Sequence, residues 1–511
     1  MAIEVDFRGS FCTESKRDPC GLVIFGASGD LTHRKLLPAL FSLFNKGLLV
    51  KKSYILGCAR TPMTDEAFRQ KVRDTLTRDS KDIDSSKLDD FVKRCSYIAG
   101  DYHDAGLYSS LSERLTKLDM EQSTGGNRIF YFATPPNLPC PIAGRLAAAG
   151  LTKEREDGSS YVRVIFEKPF GWDLKSAVEL DSELHRHLKE DQIYRIDHYL
   201  GKDTVQNILM FRFANTVFEP VWNYRYIDHI QITVAQSTGV EHRAGYFEQA
   251  GLLRDMFQNH LLQMVALVAM EAPVSFDADR VRDEKVKLMR SVRPFPLNEL
   301  GKWVVRGQYG LGQVNGEDVP GYRDEEGVSA RSQVETFVAT RMMIDNWRWQ
   351  GVPFYLRSGK RMPKEVSEIA ITFRRVPHSI FSPLMPHELA PNVLVLTVQP
   401  NEGVSLTIQA KVPGPRICLA SLGMNFCYSD VFGVAPPNAY ERLLLDCMLG
   451  DQTLFWRRDG IEVAWSIFTP VLERWERDTE GNPLFPYRAG TWGPEEADAL
   501  LERDGREWRT L

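Results

Sequence analysis

Short apolar runs alternate with helical patterns through the first two hundred residues of the chain. Strands are predicted at residues 22–25, 53–56, 96–99, 129–132 and 162–166. Between the first two runs, four leucines of segment 32–46 recur at helical spacing on one face. This alternation is typical of βαβ units, so we expect a parallel sheet with helices packed against it.

The pattern changes after residue 201. An apolar stretch at 251–270 predicts one long helix, and the Gly-, Asp- and Glu-rich stretch 315–332 predicts an exposed loop. Strand alternation follows at 335–344, 369–374, 393–398 and 404–409. Because Pro and Gly connections between these runs are short, the second sheet should be mostly antiparallel. We therefore predict an α/β domain over residues 1–201 and a larger α+β domain over residues 202–511.

Composition narrows the class of protein. With 43% hydrophobic and 26% charged residues, the 511-residue chain has ordinary globular composition, which argues against disorder, collagen or a coiled coil. A net charge of −5 argues against nucleic-acid and membrane partners, so local cations must hold any anionic ligand. No C-x-x-C pair predicts a metal site, and the N-terminus lacks the apolar core of a signal peptide. We expect a cytoplasmic protein with reduced thiols.

A glycine-containing turn follows the first predicted strand. LVIFGASGDL places Gly26 and Gly29 directly after the strand and directly before a helix. Backbone amides and the helix dipole at such a turn can bind a pyrophosphate. The spacing departs from G-x-G-x-x-G, and a plain turn is the alternative. With strand and helix in place, the context favours a Rossmann-type dinucleotide-binding domain over residues 1–201.

The end of the second predicted strand bears on the choice of dinucleotide. Enzymes that use NAD typically carry an acidic residue here, whereas LGCARTP carries Arg60. A carboxylate would repel a 2′-phosphate, while a guanidinium can pair with it through two hydrogen bonds. The residue therefore favours NADP, with NAD as an alternative. A solvated surface arginine is the other interpretation of Arg60.

Two further motifs gather cations and titratable groups near the ends of predicted strands. In VRVIFEKPFG, Lys168 follows a strand and precedes a proline, where it can meet a substrate oxygen or remain a solvated charge. In YRIDHYLGKD, His198, Tyr199 and Lys202 together offer the donors that a phosphate dianion needs. Asp197 would repel a phosphate, so it fits better as the partner that orients a histidine.

The long predicted helix carries Asp255 and His260 in GLLRDMFQNHLLQM. Five residues at about 100° each separate the two side chains by about 140° around an ideal axis, so they should not share a face. Either one of them serves packing or capping, or Asp255 lies at a distorted helix start and both reach one cavity.

These motifs together resemble the glucose-6-phosphate dehydrogenase family. GASGDL, EKPFG, RIDHYLGK, RDMFQNHLLQM, DNWRWQGVPFYLRSGK and NAYERLLLDCMLGD occur in the order that the family has, between about residues 22 and 475. The resemblance implies oxidation of glucose 6-phosphate at C1 to 6-phosphoglucono-δ-lactone with hydride transfer to NADP, the first step of the pentose phosphate pathway. It also implies a homodimer or homotetramer formed through the large sheet.

The resemblance further implies roles for particular residues. His260 would be the general base, Asp197 its carboxylate partner, and Lys168 a ligand of the sugar near the reacting carbon. The remaining substrate ligands would be His198, Tyr199, Lys202, Asp255, Lys360 and, as a companion, Lys364. The cofactor would be bound by Gly26, Ser28, Gly29, Asp30, Leu31, Arg60, Tyr131, Pro135 and Lys168.

One departure from the family pattern concerns the sugar. Gln236 stands where the family usually has a glutamate. Its amide oxygen can still accept a hydrogen bond from a sugar hydroxyl, but the negative charge is lost, so we expect an altered Michaelis constant. Two other functions compete: an oxidoreductase for an unphosphorylated sugar, which the phosphate cluster disfavours, and a non-catalytic dinucleotide sensor. Retention of Asp197, Lys168 and His260 together argues against a sensor.

Overall fold

A computed structural model of the protein describes residues 18–78, 83–381, 389–433, 437–478 and 481–511. In this part of the chain the strands are β1 Gly21–Phe25, β2 Tyr54–Ala59, β3 Cys95–Ala99, β4 Arg128–Phe132, β5 Val162–Phe166, β6 Ile193–Ile196, β7 Ile227–Ala235, β8 Val304–Gly310, β9 Gly312–Val314, β10 Glu317–Val319, β11 Phe337–Met343, β12 Pro353–Gly359, β13 Val366–Phe373, β14 Val393–Gln399, β15 Gly403–Lys411, β16 Leu419–Cys427, β17 Phe455–Trp456 and β18 Leu484–Arg488.

The α-helices of the same residues are α1 Leu37–Asn45, α2 Asp65–Arg78, α3 Ser85–Val92, α4 Ala105–Gln122, α5 Pro139–Ala148, α6 Leu174–His185, α7 Asp203–Phe213, α8 Ala244–Leu252, α9 Leu262–Ala269, α10 Ala278–Arg290, α11 Tyr428–Phe432, α12 Ala439–Leu449, α13 Arg458–Arg477 and α14 Ala499–Glu502. Two segments, Thr32–Leu36 and Leu253–Leu261, are π-helical. None of these helices combines the length and apolar character needed to cross a membrane.

The first sheet has seven strands in the order β17-β6-β5-β4-β1-β2-β3. Strands β1 to β6 run parallel, and β1 lies between β2 and β4. The chain thus reverses its strand order beside β1, which opens a crevice at the carboxyl ends of β1 and β4. The α/β Rossmann-type prediction is confirmed. One strand, β17, comes from late in the chain and pairs antiparallel with β6.

The second sheet has nine strands in the order β16-β15-β14-β13-β7-β12-β11-β8-β18. Its pairs are antiparallel except β7 with β12 and β8 with β18, so the mostly antiparallel prediction is confirmed. The stretch 315–332 is not simply the exposed loop that its composition predicts. It contains β10, and the Tyr322 ring is fully buried, with its hydroxyl donating to Glu248 Oε1 at 2.6 Å.

The helix predicted over 251–270 is present from Leu253 to Ala269, but its first half is π-helical and not α-helical. At its start, Gly251 has φ 67° and ψ 173°, which separates this helix from the preceding turns of α8. The distant Glu335 accounts for the break, because its Oε1 accepts a hydrogen bond from the Leu253 N–H at 3.0 Å. A Cβ on residue 251 would lie only 2.5 Å from that same carboxylate, so only glycine fits.

Candidate active site

The glycine turn after β1 is held from both sides. Gly26 has φ 86°, and a Cβ there would lie 2.1 Å from the carbonyl oxygen of Ala133. The Tyr102 hydroxyl accepts from the Gly26 N–H at 2.9 Å and donates to the Cys58 carbonyl oxygen at 3.2 Å. The Thr32 hydroxyl donates to the Gly26 carbonyl oxygen at 3.1 Å. The turn therefore sits at the crevice, where a dinucleotide phosphate would meet it.

Most residues expected to bind the cofactor lie along this edge of the sheet. Gly29 and Asp30 are exposed at the start of the first helix, and Ser28, half-buried, accepts from the Thr61 hydroxyl at 3.3 Å. Leu31 is partly buried beside them. Exposed positions directly after β2 and shortly after β4 are occupied by Arg60 and Pro135.

Tyr131 does not join this edge through its side chain. Its ring is fully buried, and its hydroxyl donates to Glu167 Oε1 at 2.5 Å. Any contact of Tyr131 with a dinucleotide would therefore use its backbone in β4. Burial raises the pKa of the Glu167 carboxyl, which also interacts with the hydroxyl of Tyr440 from α12.

At the carboxyl ends of β5 and β6, an imidazole and a carboxylate form a buried pair. Nδ1 of His260 lies 2.5 Å from Oδ1 of Asp197, and each residue is 1% exposed. Asp197 directly follows β6, and its Oδ1 also accepts from the Tyr199 N–H at 3.0 Å. Since the carboxylate binds Nδ1–H, the lone pair of the ring lies on Nε2.

The charges around the pair keep both groups in the form that a general base needs. Burial opposes ionisation of Asp197, but its contact with His260, together with the charges of His198 and Lys168, holds the pKa of that carboxyl well below its usual range. Burial, helped by the charge of Lys168, lowers the pKa of His260 although Asp197 favours its protonation. At neutral pH the ring is therefore a neutral proton acceptor oriented by an anion.

Lys168 contacts this pair and Asp255 at once. Its Nζ lies 2.8 Å from Nε2 of His260, and donates to the Asp255 carbonyl oxygen at 2.9 Å and to Asp255 Oδ1 at 3.1 Å. Burial would raise the pKa of the Asp255 carboxyl, but Lys168 and Lys360 together hold it below its usual range.

The π-helical segment explains how Asp255 and His260 reach one ammonium. Residues five apart are hydrogen-bonding partners in a π-helix, so their side chains lie on one face, whereas α-helical winding would separate them. Of the two alternatives left open by the spacing, the structure favours the distorted helix start, with both side chains in contact with the Lys168 ammonium.

His198, Tyr199 and Lys202 lie next to the base. The ring centroids of His198 and Tyr199 are 4.6 Å and 4.4 Å from that of His260. Lys202 Nζ lies 4.0 Å from the Tyr199 centroid, and it also donates to Gln399 Oε1. Burial lowers the pKa of Lys202 to about 8 and the pKa of His198 well below its usual value.

Gln236 and Lys360 meet because β7 and β12 are parallel neighbours whose ends coincide. Nζ of Lys360, a buried lysine, donates to Gln236 Oε1 at 3.0 Å. Burial lowers the pKa of this lysine, and the charge of Asp255 opposes that shift. Lys364 is exposed, and among the described contacts it does not hydrogen-bond to Lys168, Asp255 or His260.

The sequence interpretation missed several residues that surround the site. Glu167 and Tyr440 form one buried contact, Tyr246 donates to Asp255 Oδ1 at 3.3 Å, and the fully buried Lys285 lies within electrostatic range of Asp197. These residues come from distant parts of the chain, so spacing could not have joined them. Only the position of Glu167 next to Lys168 was a local signal.

A glycine turn at the edge of a parallel sheet, next to a buried carboxylate–imidazole–lysine cluster, defines a nicotinamide-dinucleotide-dependent dehydrogenase. Two family descriptions match the chain: "Glucose-6-phosphate dehydrogenase, NAD binding domain" over residues 23–207 and "Glucose-6-phosphate dehydrogenase, C-terminal domain" over residues 209–509. The chain belongs to the glucose-6-phosphate dehydrogenase family.

Individual relatives agree along nearly the whole length. The glucose-6-phosphate 1-dehydrogenase of Chlamydia pneumoniae is 46% identical over 498 residues, covering 96% of each chain. Glucose-6-phosphate 1-dehydrogenase 2 of Mycobacterium tuberculosis strain H37Rv is 44% identical over 492 residues, covering 96% of this chain and 94% of the relative.

Two solved structures show the same fold. A glucose-6-phosphate dehydrogenase in complex with its substrate glucose-6-phosphate has a TM-score of 0.88 and 36% identity, covering 98% of this chain and all of that chain. The glucose-6-phosphate 1-dehydrogenase of Mycobacterium avium has a TM-score of 0.80 and 35% identity, covering 97% and 99%.

Proposed function

We propose that the protein oxidises glucose 6-phosphate at C1 to 6-phosphoglucono-δ-lactone, with hydride transfer to NADP. The observation that carries the proposal is the buried His260–Asp197 pair, whose Nε2 is directed at the ammonium of Lys168. A proton acceptor with a cation beside it is what oxidation of a hydroxyl to a carbonyl requires. Family membership supports the same reaction.

Each member of the cluster has one part in the reaction. Nε2 of His260 accepts the C1 hydroxyl proton. A bound nicotinamide would supply the hydride acceptor that takes the two electrons lost by C1. Asp197 stabilises the imidazolium that forms. Lys168 stays near the C1 oxygen and positions the substrate. The C1 hydroxyl of the substrate then replaces Lys168 as the group in contact with Nε2 of His260.

The phosphate of the substrate binds, in this proposal, beside the base. His198, Tyr199 and Lys202 supply a neutral imidazole, a phenol and an ammonium at one end of the cavity. A chain with net charge −5 attracts no anion as a whole, so these local groups must supply the affinity. Their position supports glucose 6-phosphate over an unphosphorylated sugar.

The sugar hydroxyls lie between the two ends. We assign them to Asp255, held by Lys168 and Tyr246, and to the Gln236–Lys360 pair, with Lys364 as a companion at the exposed rim. The neutral Gln236 accepts a hydrogen bond as a glutamate would but adds no charge, so we expect a changed Michaelis constant.

For the cofactor, we propose that the pyrophosphate meets the turn of Gly26, Ser28 and Gly29, with Asp30 and Leu31 shaping the first helical turn. Arg60 is exposed at the end of β2, the position that faces the adenosine ribose. Its guanidinium supports NADP, and NAD is the alternative. Pro135, Lys168 and the backbone of Tyr131 complete the proposed contacts.

We further propose a homodimer or homotetramer that forms through the nine-stranded sheet. Its edge strand β16 presents Leu422 at 50% and Met424 at 46% exposure, which is typical of an edge that another chain covers. The described cysteines are free thiols, which supports the cytoplasm as the compartment of this first step of the pentose phosphate pathway. Analytical ultracentrifugation of the protein and of a Leu422→Glu, Met424→Glu variant tests the assembly.

The proposed reaction is tested by parallel assays with both sugars and both dinucleotides. We expect glucose 6-phosphate with NADP to give the highest kcat/KM, measured as absorbance of the reduced nicotinamide. Equal rates with glucose and glucose 6-phosphate would favour an oxidoreductase for unphosphorylated sugars. No reduction of either dinucleotide, with binding intact, would favour a sensor.

A further inference from the structure

Three side chains form a stack that connects a proposed phosphate ligand to the proposed base: Lys202, Tyr199 and His260. The ring centroids of Tyr199 and His260 are 4.4 Å apart, with 26° between the ring planes. The ammonium of Lys202 lies 4.0 Å from the centroid of the same phenol ring. A stacked imidazole covers one face of a ring, so the ammonium must lie over the other face. One aromatic ring therefore separates Lys202, one of the proposed phosphate ligands, from the proposed base.

Two members of the stack are shielded from water, which strengthens electrostatic contacts between them, and the third, Lys202, is half-buried. Tyr199 is 5% exposed and His260 is 1% exposed. Burial lowers the pKa of Lys202 to about 8, so the ammonium is still largely charged at neutral pH. The carboxylates that face this ammonium are Glu402, Glu365 and Asp197.

Other charged groups also face the base and set its starting state. Asp197 favours protonation of His260, and the ammonium of Lys168 disfavours it. Asp255 adds a smaller attraction for the imidazolium, and His198 is neutral because burial lowers its pKa, with His260 and Lys168 acting in the same direction. The Tyr199 ring is the stacked neighbour that lies between Lys202 and the base.

An ammonium over one face of an aromatic ring draws π electron density toward itself. The opposite face then attracts a cation less, so an imidazolium at His260 is less stable while Lys202 is unpaired. A phosphate dianion at Lys202 neutralises that charge, and the ring can again stabilise the imidazolium that forms as the substrate loses its proton.

We propose that Tyr199 is a positioning residue that couples phosphate binding at Lys202 to proton acceptance by His260. The coupling rests on the proposed function, because it needs both a phosphorylated substrate and an imidazole base. It predicts that the phosphate accelerates chemistry at C1 beyond its contribution to binding.

The effect of the phosphate on chemistry can be measured apart from its effect on binding if the substrate is supplied as two separate molecules. Glucose is the reacting part, and inorganic phosphite dianion occupies the phosphate end. The activation factor is kcat/KM for glucose with saturating phosphite divided by kcat/KM without it. We expect the factors of the unaltered protein and of Tyr199→Phe, which keeps the ring, to exceed that of Tyr199→Leu by about 3-fold or more, as cation–π energies allow. The inhibition constant of phosphite against glucose 6-phosphate shows that each variant still binds it.

The pH dependence gives a readout that a merely structural role would not move. In the unaltered protein, phosphite should move the acid limb of kcat/KM for glucose to higher pH, because the imidazolium becomes more stable. In Tyr199→Leu the limb should stay in place. An equal activation factor and an equal pH shift in Tyr199→Leu would overturn the coupling.

Lys202→Met tests the same idea without altering the ring. Removing the ammonium frees the Tyr199 face, so kcat/KM for glucose without phosphite should rise by about 3-fold, although glucose 6-phosphate is used less well. A lower or unchanged value for glucose overturns the coupling. If the unaltered protein oxidises glucose 6-phosphate but shows no activation by phosphite, the coupling alone fails. If it does not oxidise glucose 6-phosphate, the proposed function fails as well.

Discussion

Nζ of Lys168 lies 2.8 Å from Nε2 of His260, the nitrogen that accepts the proton in the proposed reaction. The charge of Lys168 lowers the pKa of His260, in addition to the larger effect of burial. In Lys168→Met, kcat should fall by about 10² or more because the C1 oxygen loses its cation. With a positive neighbour removed, the pKa of His260 should rise, so the acid limb of the kcat/KM profile should move to higher pH. Lys175→Met, at an exposed lysine paired with Glu179, is the control that should change neither.

His260→Asn removes the proposed base and keeps a side chain of similar polarity. We expect kcat to fall by about 10² or more, while the dissociation constant of glucose 6-phosphate changes little. Turnover is measured by reduced-nicotinamide absorbance and binding by calorimetry. His103→Asn, at an exposed histidine, is the matched control. Unchanged turnover in His260→Asn would refute the assignment.

Arg60→Ala tests the choice of dinucleotide. If the guanidinium pairs with the 2′-phosphate, KM for NADP should rise about 10- to 100-fold, since charged hydrogen bonds contribute roughly 1.5–3 kcal/mol. KM for NAD should change little. Arg186→Ala, at an exposed arginine paired with Glu183, serves as the control. Equal effects on both dinucleotides would place Arg60 elsewhere than at the 2′-phosphate.

Because Lys285 is buried, we expect the unfolding free energy of the protein to depend on pH. Burial lowers the pKa of this fully buried lysine from 10.5 to about 7 in the folded protein. Between these values the unfolded chain binds a proton that the folded chain does not, so stability should rise with pH, by about 1.4 kcal/mol per pH unit at most. Urea unfolding at pH 7 and pH 8.5 should show this slope, and Lys285→Met should lack it. Identical slopes in the two proteins would contradict the prediction.

Gly251→Ala tests the break before the π-helical segment. A backbone at φ 67° and ψ 173° is essentially restricted to glycine, and the added methyl would meet the Glu335 carboxylate. We expect a loss of roughly 1–3 kcal/mol in unfolding free energy and a lower kcat, because Asp255 and His260 shift. Gly245→Ala, in open space within α8, should be neutral or stabilising. If Gly251→Ala and Gly245→Ala have equal unfolding free energies, residue 251 tolerates a side chain and the prediction is wrong.

Local sequence patterns predicted those site residues that directly follow a predicted strand. The turn at Gly26 follows an apolar strand, and Lys168 and Asp197 follow the ends of two others, so the parallel sheet brings them to one edge. The α/β and mostly antiparallel sheets were predictable for the same reason, because alternation and connection length are local properties.

Long-range contacts set what the sequence could not predict. The break at Gly251 depends on Glu335, which lies far along the chain and caps the restarted helix. The ideal-helix geometry for Asp255 and His260 failed because π-helical winding replaced it. Tyr131 lies at the expected position in β4, but its side chain turns inward to Glu167, which spacing alone does not reveal.

The pairing of β17 with β6 bears on how the nascent chain matures. Ile196, the last residue of β6, pairs with Phe455, and the next residue is Asp197. During synthesis, one edge of β6 has no strand to pair with until the chain has been extended past Trp456. A fragment that stops near residue 201 would retain the turn at Gly26 but leave the backbone beside Asp197 available to other chains, so we expect it to aggregate.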